Sequence, residues 1–183
     1  SPYHVGSGLF YLDQYLGKNI LEEGLREFSL SNGKESFVTI LENISNKNLN
    51  WFFSDYISER EAFDLHIKNT VKNKTTTSIT ISEKNGRKLP FKLDFIKNDS
   101  IVKEQWYFHS GKDSVYKLKR DEYDYVAINS NRYLPEKNRH NNWKYLKPSH
   151  GIKPLKLTFY GDSENLKRNQ LFYHPISDFN VYD

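Results

Sequence analysis

The sequence predicts an α+β fold, in which a helical N-terminal segment is followed by an antiparallel β-sandwich or barrel. The first observation is that apolar residues recur every three or four positions before residue 62 and every two positions after it. The second is that the alternating runs are short, lie about ten residues apart and are separated by turn residues. Together these observations predict helices over residues 1–61 and six or so strands over residues 62–134.

Four helices are predicted in the first 61 residues because each carries apolar residues at helical spacing. Gly17 ends the first helix, and Asn19 with Glu22 has the spacing of a capping box that opens the second. A loop at Ser31-Asn32-Gly33 precedes the third. The residues that define these helices are Val5, Leu9, Leu12 and Leu16, then Leu21, Leu25 and Phe28 (facing inward), then Phe37, Ile40, Leu41 and Ile44, and last Trp51, Phe52, Phe53 and Tyr56 within Leu49–Ile57.

The strands are predicted from alternating apolar residues between turn signals. Asn85-Gly86 is a strong signal for a two-residue hairpin, and Asn98-Asp99-Ser100 is a second turn. Such short antiparallel strands are typical of a sandwich or barrel. The alternating residues are Phe63, Leu65 and Ile67, then Thr77, Ile79 and Ile81, then Phe91, Leu93 and Phe95, then Trp106 and Phe108, then Tyr116 and Leu118, and last Tyr125 with Val126 to Ile128.

The pattern weakens after residue 134, where four prolines punctuate a polar, Asn- and Lys-rich stretch. One further strand is predicted from Leu155 to Tyr160. Three regions are therefore expected: helices over 1–61, the sandwich over 62–134, and an extension or the start of another region over 135–183.

Composition narrows the classes of function. The chain has 183 residues, no Cys and a net charge of +4, with the two signs interspersed. The lack of Cys excludes disulfides, thiolate zinc sites and cysteine nucleophiles. No block of basic residues indicates nucleic-acid binding, and no apolar run approaches the roughly 20 residues of a membrane span. The chain has no Met even at position 1, so we expect a processed product or an excised fragment.

Self-contained catalytic motifs are weakly represented. The six His residues include no pair at the i, i+4 spacing of a zinc-binding helix, and no HExxH motif occurs. His109-Ser110 with Asp113 brings together the residue types of a catalytic triad, but turn chemistry explains their proximity better. Asp121, Glu122 and Asp124 are interpreted in the same way, as a solvated hairpin turn.

A basic, aromatic stretch runs from Asn141 to Lys147. Its aromatic side chains have two interpretations: they stack on bases or sugars of a ligand, or they pin the segment to the sandwich. The second interpretation is favoured.

Two segments carry a more specific resemblance. Residues 1–12, which read S-P-Y-H-V-G-S-G-L-F-Y-L, followed by Tyr15-Leu16-Gly17, resemble a segment of the gluzincin zinc aminopeptidases, the family of aminopeptidase N and the leukotriene hydrolases. Asn48 to Phe53 with Tyr56 resembles that family's D-L-S-W-F-F-x-x-W segment. The family then passes into an immunoglobulin-like β-sandwich, as the period-two region does here from about Phe63. The resemblance covers residues 1 to about 135.

This resemblance implies that residues 1–61 are the last helices of a thermolysin-like catalytic domain, and that Tyr3 is a catalytic residue. In the family, the Tyr of this motif donates its O–H to the oxyanion of the tetrahedral intermediate, whose carbonyl the zinc also polarises. This sequence departs from the family at His4, where Glu is usual, and at Val5, where Lys is frequent. The family's zinc ligands and general base precede the Tyr, so this chain is expected to bind no zinc itself.

The sequence therefore indicates a C-terminal fragment of a zinc aminopeptidase, inactive alone, whose parent binds zinc and the peptide substrate through its missing N-terminal part. Two rival functions stay open. One is a non-catalytic sandwich module of a degenerate peptidase-like surface protein, and the other is a polyanion- or glycan-binding β-domain. The compartment is left open as well, although the Asn-, Thr- and Tyr-rich strands favour the cell envelope or exterior.

Overall fold

A computed structural model of the chain describes residues 2–58, 62–120, 122–134, 136–146, 155–161, 165 and 168–174. Contacts within the chain divide it into two units, residues 1–146 and residues 147–183. The first unit contains helices followed by antiparallel sheets, so the predicted α+β class is confirmed.

Three α-helices open the first unit: α1 (Pro2–Leu16), α2 (Ile20–Leu30) and α3 (Phe37–Ser45). Gly17 follows α1 with a φ of 102°, a left-handed conformation that favours glycine. The predicted capping box is wrong, because Asn19 itself has a φ of 68° and its side chain makes no capping hydrogen bond. The side-chain cap belongs to α3, where Ser36 Oγ accepts a hydrogen bond from the Thr39 N–H at 3.1 Å.

The fourth predicted helix is present but is a π-helical segment, Trp51–Tyr56. The Ile57 N–H donates to the Phe52 carbonyl oxygen at 3.0 Å, which is the i to i+5 bond of this wider helix. Trp51, Phe52 and Tyr56 are all buried in it.

Seven strands form two sheets, and every pairing between them is antiparallel. The first sheet has the order β1-β2-β5 and the second the order β4-β3-β6-β7. A 3₁₀ helix (His140–Asn142) directly precedes the seventh strand. The strands are β1 (Leu65–Lys72), β2 (Thr76–Glu83), β3 (Lys88–Lys97), β4 (Ser100–Ser110), β5 (Ser114–Lys119), β6 (Tyr125–Ile128) and β7 (Trp143–Tyr145).

This strand order is that of an immunoglobulin-like sandwich. Here the fourth strand, β4, pairs with β3 in the second sheet, whereas in constant-type immunoglobulin domains the fourth strand belongs to the first sheet. The predicted hairpin at Asn85-Gly86 is wrong, because β2 and β3 belong to different sheets and this turn crosses between them. The hairpin of the second sheet forms at Asn98-Asp99, whose φ values of 51° and 61° suit a two-residue turn.

Strand β3 is buried on both faces because the second sheet lies between two layers. Phe91 contacts Tyr116 of the first sheet, with ring centroids 6.0 Å apart. On the opposite face, Lys92 lies across from Trp106, whose ring contacts Tyr11 of α1 at 5.4 Å. The helices therefore cover the face of the second sheet that points away from the first sheet.

The second unit contains the parallel pair β8 (Leu155–Phe159) and β9 (Asn169–Tyr173). The strand predicted from Leu155 to Tyr160 is confirmed to within a residue. The domain boundaries predicted after residues 61 and 134 stay predictions, while β7 continues the second sheet as far as Tyr145.

Candidate functional site

Tyr3, to which the resemblance assigns a catalytic role, lies in the first turn of α1. Its side chain, like that of His4, is outside the part of the chain that the structure describes. What the structure does describe is how the helix that carries Tyr3 is held by the rest of the first unit.

The two segments that resemble the aminopeptidases pack directly against each other. A Cβ atom built on Gly8 of α1 would lie 2.1 Å from Tyr56 Cε1, so only glycine allows this approach of the helix and the ring. A hydrogen bond with the Ser7 side chain lowers the pKa of Tyr56, against a larger increase caused by burial. Gly8 and Ser7 therefore serve to bind the π-helical segment to α1.

Aromatic rings extend this contact to the second sheet. Tyr11 and Tyr15, one helical turn apart on α1, each make edge-to-face contacts with Trp51 and with Trp106. The ring centroids are 5.3–6.2 Å apart, within the range that favours aromatic pairs. Of the four apolar residues that define the predicted first helix, Leu12 and Leu16 are buried, whereas Val5 and Leu9 are exposed, and Tyr11 and Tyr15 complete the packed side of α1.

A stack of rings leads from the helices into the sandwich. Tyr56 lies between Phe52, at 5.4 Å, and Phe63, at 5.7 Å, with interplanar angles of 10° and 13°. Arg87 lies over the outer side of Phe63, with its guanidinium carbon 4.1 Å from the ring centroid. All three rings are at most 1% exposed, so this stack fixes the position of the π-helical segment beside β1.

Polar side chains form a second connection between α1 and the sandwich, which we call the Glu136 network: Tyr11, Asn129, Glu136 and Asn142. The Tyr11 hydroxyl lies 2.9 Å from Asn129 Oδ1 and 3.0 Å from the Pro90 carbonyl oxygen, both acceptors. Asn129 Nδ2 donates to Glu136 Oε1 at 3.2 Å, and Asn142 Nδ2 donates to Glu136 Oε2 at 2.9 Å.

Burial shifts the pKa values of both acids in the Glu136 network. It raises the pKa of the Glu136 carboxyl to about 7, although hydrogen bonds from Asn142, Asn129 and the Leu65 backbone act in the opposite direction. It also raises the pKa of Tyr11 well above the ordinary value, with a further increase from the neighbouring Glu136. This network is not predictable from the sequence, because no spacing motif joins Tyr11 on α1 to Asn129, Glu136 and Asn142.

A buried carboxylate, Glu83, organises the turn between the two sheets. Its Oε2 atom accepts hydrogen bonds from the N–H groups of Asn85 and Arg87 at 2.9 and 2.8 Å. Its Oε1 atom accepts from the Asp64 N–H at 3.2 Å, while Arg87 Nη2 donates to the Ala62 carbonyl oxygen at 2.6 Å. Glu83 therefore satisfies backbone N–H groups of the Asn85-Gly86 turn, which crosses between the sheets instead of forming the predicted hairpin.

The triad-like residues do not form a triad in the structure. His109 is buried in the sandwich, with Nδ1 3.1 Å from the Gly111 N–H and 3.2 Å from the Arg87 carbonyl oxygen. Asp113 instead accepts hydrogen bonds from Lys68 and Ser82 at 2.8 and 2.6 Å. These contacts support the interpretation as turn residues.

The acidic turn residues and the basic, aromatic stretch, which were the other candidates from the sequence, also have structural partners. Asp124 Oδ2 accepts a hydrogen bond from the Asn98 N–H at 2.9 Å, whereas Asp121 lies outside the described residues. In the basic, aromatic stretch, Tyr145 packs against Tyr125 of the neighbouring strand with ring centroids 4.8 Å apart. This contact agrees with the interpretation in which the aromatic residues pin the segment to the sandwich.

The helices keep apolar side chains in solvent. The predicted inward orientation of Leu25 is wrong, since it is 54% exposed while its neighbour Gly24 packs against Leu41. Phe28 and Leu30 at the end of α2 are exposed as well, as are Val5 and Leu9 near the start of α1. Helices α1 and α2 therefore each have an apolar surface that the described part of the first unit leaves uncovered.

Within the described ranges, no group of three or more His, Asp or Glu residues is placed to hold a metal ion. The described residues therefore do not fit the donor set of a zinc site. No helix in the same part of the chain has the length and apolarity needed to cross a membrane.

Comparison with known proteins gives a structural likeness. No protein-family model and no curated protein sequence matches the chain. A crystal structure of Legionella pneumophila aminopeptidase A in complex with aspartic acid is similar to it, with a TM-score of 0.51 and 17% sequence identity. The likeness covers 62% of this chain but 14% of the aminopeptidase. At this identity it shows a shared fold, and the chain spans a small part of that protein's length.

Proposed function

We propose that this chain is the C-terminal part of an aminopeptidase-like zinc metallopeptidase, in which α1 to α3 end the catalytic domain and the sandwich supports them. The observation that carries the proposal is the fold shared with part of an aminopeptidase. The contact of Gly8 with Tyr56 adds support, because it joins the two segments on which the family resemblance depends.

The catalytic contribution of the chain is the phenol of Tyr3. As the carbonyl carbon of the peptide becomes tetrahedral, its oxygen gains negative charge, and the Tyr3 O–H donates a hydrogen bond to that oxyanion. A donor on a helix held by the rings of Tyr11 and Tyr15 loses little orientational freedom when the transition state forms. Zinc, supplied by residues that precede this chain, would polarise the same carbonyl.

The uncovered apolar surfaces of α1 and α2 fit this proposal. Leu25 and Leu30 are 54% and 75% exposed, and a catalytic domain that continues onto these helices would bury them. At roughly 25 cal/mol for each Å² of apolar surface removed from water, such contacts would stabilise the join.

The proposal is tested first by the coding sequence upstream of Ser1. An HExxH motif followed by a Glu roughly 20 residues later would support a zinc peptidase. The lack of that motif would contradict the proposal and favour the rival function, a non-catalytic sandwich module.

The role of Tyr3 is tested by Tyr3→Phe in the full-length protein with an aminoacyl-anilide substrate. We expect kcat to fall by roughly 10²–10³ with little change in KM, because the lost hydrogen bond forms only in the transition state. Tyr160→Phe is the matched control, since Tyr160 is 73% exposed in the second unit and its kcat should match that of the unmodified enzyme. An unchanged kcat for Tyr3→Phe would contradict the assigned role.

A further inference from the structure

A cavity opens beside the short segment that joins the helices to the first strand of the sandwich. Its volume is about 420 Å³, within the range of small-molecule binding sites. The described residues that line it are Ala62, Asp64, Lys84, Asn85 and Lys137. The proposed function assigns no task to these side chains, although three of them are charged.

Asp64 is the buried polar group of this cavity. It is 7% exposed, and its Oδ1 atom accepts a hydrogen bond from Asn141 Nδ2 at 3.2 Å. Its Oδ2 atom has no hydrogen-bond partner in the part of the chain that the structure describes. Because a carboxylate removed from water is costly when an oxygen stays unpaired, Asp64 offers a strong acceptor to a ligand in the cavity.

Backbone hydrogen bonds fix the position of this carboxylate. On one side of the segment, the Asp64 N–H donates to Glu83 Oε1 at 3.2 Å, and the Asp64 carbonyl oxygen accepts from the Lys84 N–H at 3.2 Å. On the other side, the Phe63 carbonyl oxygen accepts from the Lys137 N–H at 2.8 Å. The acceptor is therefore held in place before a ligand arrives, which lowers the entropic cost of binding.

The same hydrogen bonds place two cations beside the carboxylate, Lys84 on one side and Lys137 on the other. Both lysines are exposed, and neither forms an ion pair with an acidic side chain among the described residues. The neighbouring carboxylate of Glu83 lies 3.5 Å from Arg87 Nη2, so its charge is already balanced. The cavity therefore combines one unsatisfied acceptor with two unpaired ammonium groups.

We propose that this cavity binds a free α-amino acid. The ammonium group of the amino acid donates to Asp64 Oδ2, and its carboxylate pairs with the ammonium groups of Lys84 and Lys137. The pairing with Asp64 compensates a buried charge, which is where an ion pair contributes most. This inference goes beyond the proposed function, because it concerns a site on the sandwich and involves no hydrolysis.

Other small ligands suit the lining less well. A divalent cation needs several oxygen ligands, and Asp64 is the only carboxylate among the described residues of the cavity. A phosphate or sulfate ion would pair with the lysines but would meet repulsion from the Asp64 carboxylate. In an α-amino acid the two charged groups are joined through a single carbon, so one small molecule meets both requirements of the cavity.

The test is a titration of the full 183-residue chain with L-alanine, followed by the NMR chemical shifts of the Lys84 and Lys137 backbone amides. We expect saturable binding with a dissociation constant of about 1 mM, which is modest for so small a ligand. Propionate lacks the ammonium group and ethylamine lacks the carboxylate. Each should bind at least about tenfold more weakly than L-alanine, because each leaves one half of the site unpaired.

Variants of the lining residues identify the groups involved. Asp64→Asn keeps an oxygen for Asn141 but presents a donor where Oδ2 lies, so it should weaken L-alanine binding by at least about tenfold. The double variant Lys84→Gln with Lys137→Gln should weaken it by about fivefold or more. The matched control is Lys117→Gln with Lys119→Gln, since both lysines are exposed on β5 and do not line the cavity. Its affinity should equal that of the unmodified chain.

Three results would each overturn the proposal: no saturable shift up to about 50 mM L-alanine, equal affinity for propionate and L-alanine, or unchanged affinity in Asp64→Asn. If Asp64→Asn fails to fold, the double lysine variant decides the question, because both of its substitutions are at exposed positions. Equal affinities for this variant and the β5 control would then refute the site. Neither measurement depends on Tyr3 or on zinc, so a failure here leaves the proposed function untouched, and the converse also holds.

Discussion

The packing of α1 on the π-helical segment predicts that Gly8→Ala destabilises the first unit. The added Cβ would lie 2.1 Å from Tyr56 Cε1, well inside the 3.4 Å at which ordinary contact begins. Tyr56 cannot move aside easily, because it is 1% exposed and stacked between Phe52 and Phe63. Overpacking of this kind costs about 1–3 kcal/mol, and the better helix propensity of Ala returns up to about 1 kcal/mol. We expect a net loss of about 1–2 kcal/mol.

Gly6→Ala is the matched control on the same helix. A Cβ on Gly6 has no atom within 4 Å, so only the propensity difference remains, and this variant should be up to about 1 kcal/mol more stable than the unmodified chain. Because the propensity gain is common to both, the two alanine variants should differ in the free energy of unfolding by the overpacking cost alone, about 1–3 kcal/mol.

Urea unfolding followed by circular dichroism measures both values, with the slope m compared to detect changes in the unfolded state. A third variant, Tyr56→Leu, tests the cause. Tyr56→Leu should cost at least about 1 kcal/mol less stability in the Gly8→Ala background than in the unmodified chain, because removing the Tyr56 ring relieves the clash with the added Cβ. Equal stability of Gly8→Ala and Gly6→Ala, or additive effects with Tyr56→Leu, would refute the reasoning.

Two further predictions concern residues with a positive φ. Asn129→Ala should cost roughly 3 kcal/mol in urea unfolding, because Tyr11, Glu136 and the Lys92 N–H each lose a hydrogen bond and the alanine keeps a φ of 46°. Asn129→Gly loses the same hydrogen bonds without that strain and should cost about 1 kcal/mol less; equal losses would show that the backbone is unstrained. Gly111→Ala places a Cβ 2.5 Å from the Gly86 carbonyl oxygen at a φ of 86°, whereas Gly33→Ala at 77° meets no atom within 4 Å. Thermal unfolding should show that Gly111→Ala loses about 1 kcal/mol or more of stability beyond the loss in Gly33→Ala. Similar losses of stability in the two variants would contradict the clash.

The positions of the helices and strands were predictable from the sequence because side-chain spacing reports local backbone geometry. The change of period near residue 62 separated α3 and the π-helical segment from the sandwich, and the strand at Leu155–Phe159 was found in the same way. The α+β class follows from these local patterns alone.

Strand pairing was decided only by the tertiary structure. Asn85-Gly86 has the residues of a hairpin turn, yet β2 and β3 enter different sheets, and Glu83 satisfies the backbone N–H groups there. Turn residues specify local dihedral angles, while the burial of apolar faces from both sheets determines which strands become neighbours.

The Glu136 network belongs entirely to the tertiary structure. Tyr11 lies 118 residues before Asn129 in the chain, so no local pattern joins α1 to the segment in which Asn129 and Glu136 lie 7 residues apart. The burial of Tyr11 and Asn129 depends on the docking of α1 on the second sheet, which places the Tyr11 hydroxyl against Asn129 and the Pro90 carbonyl oxygen. Local geometry is encoded residue by residue, whereas desolvation depends on what the rest of the chain places nearby.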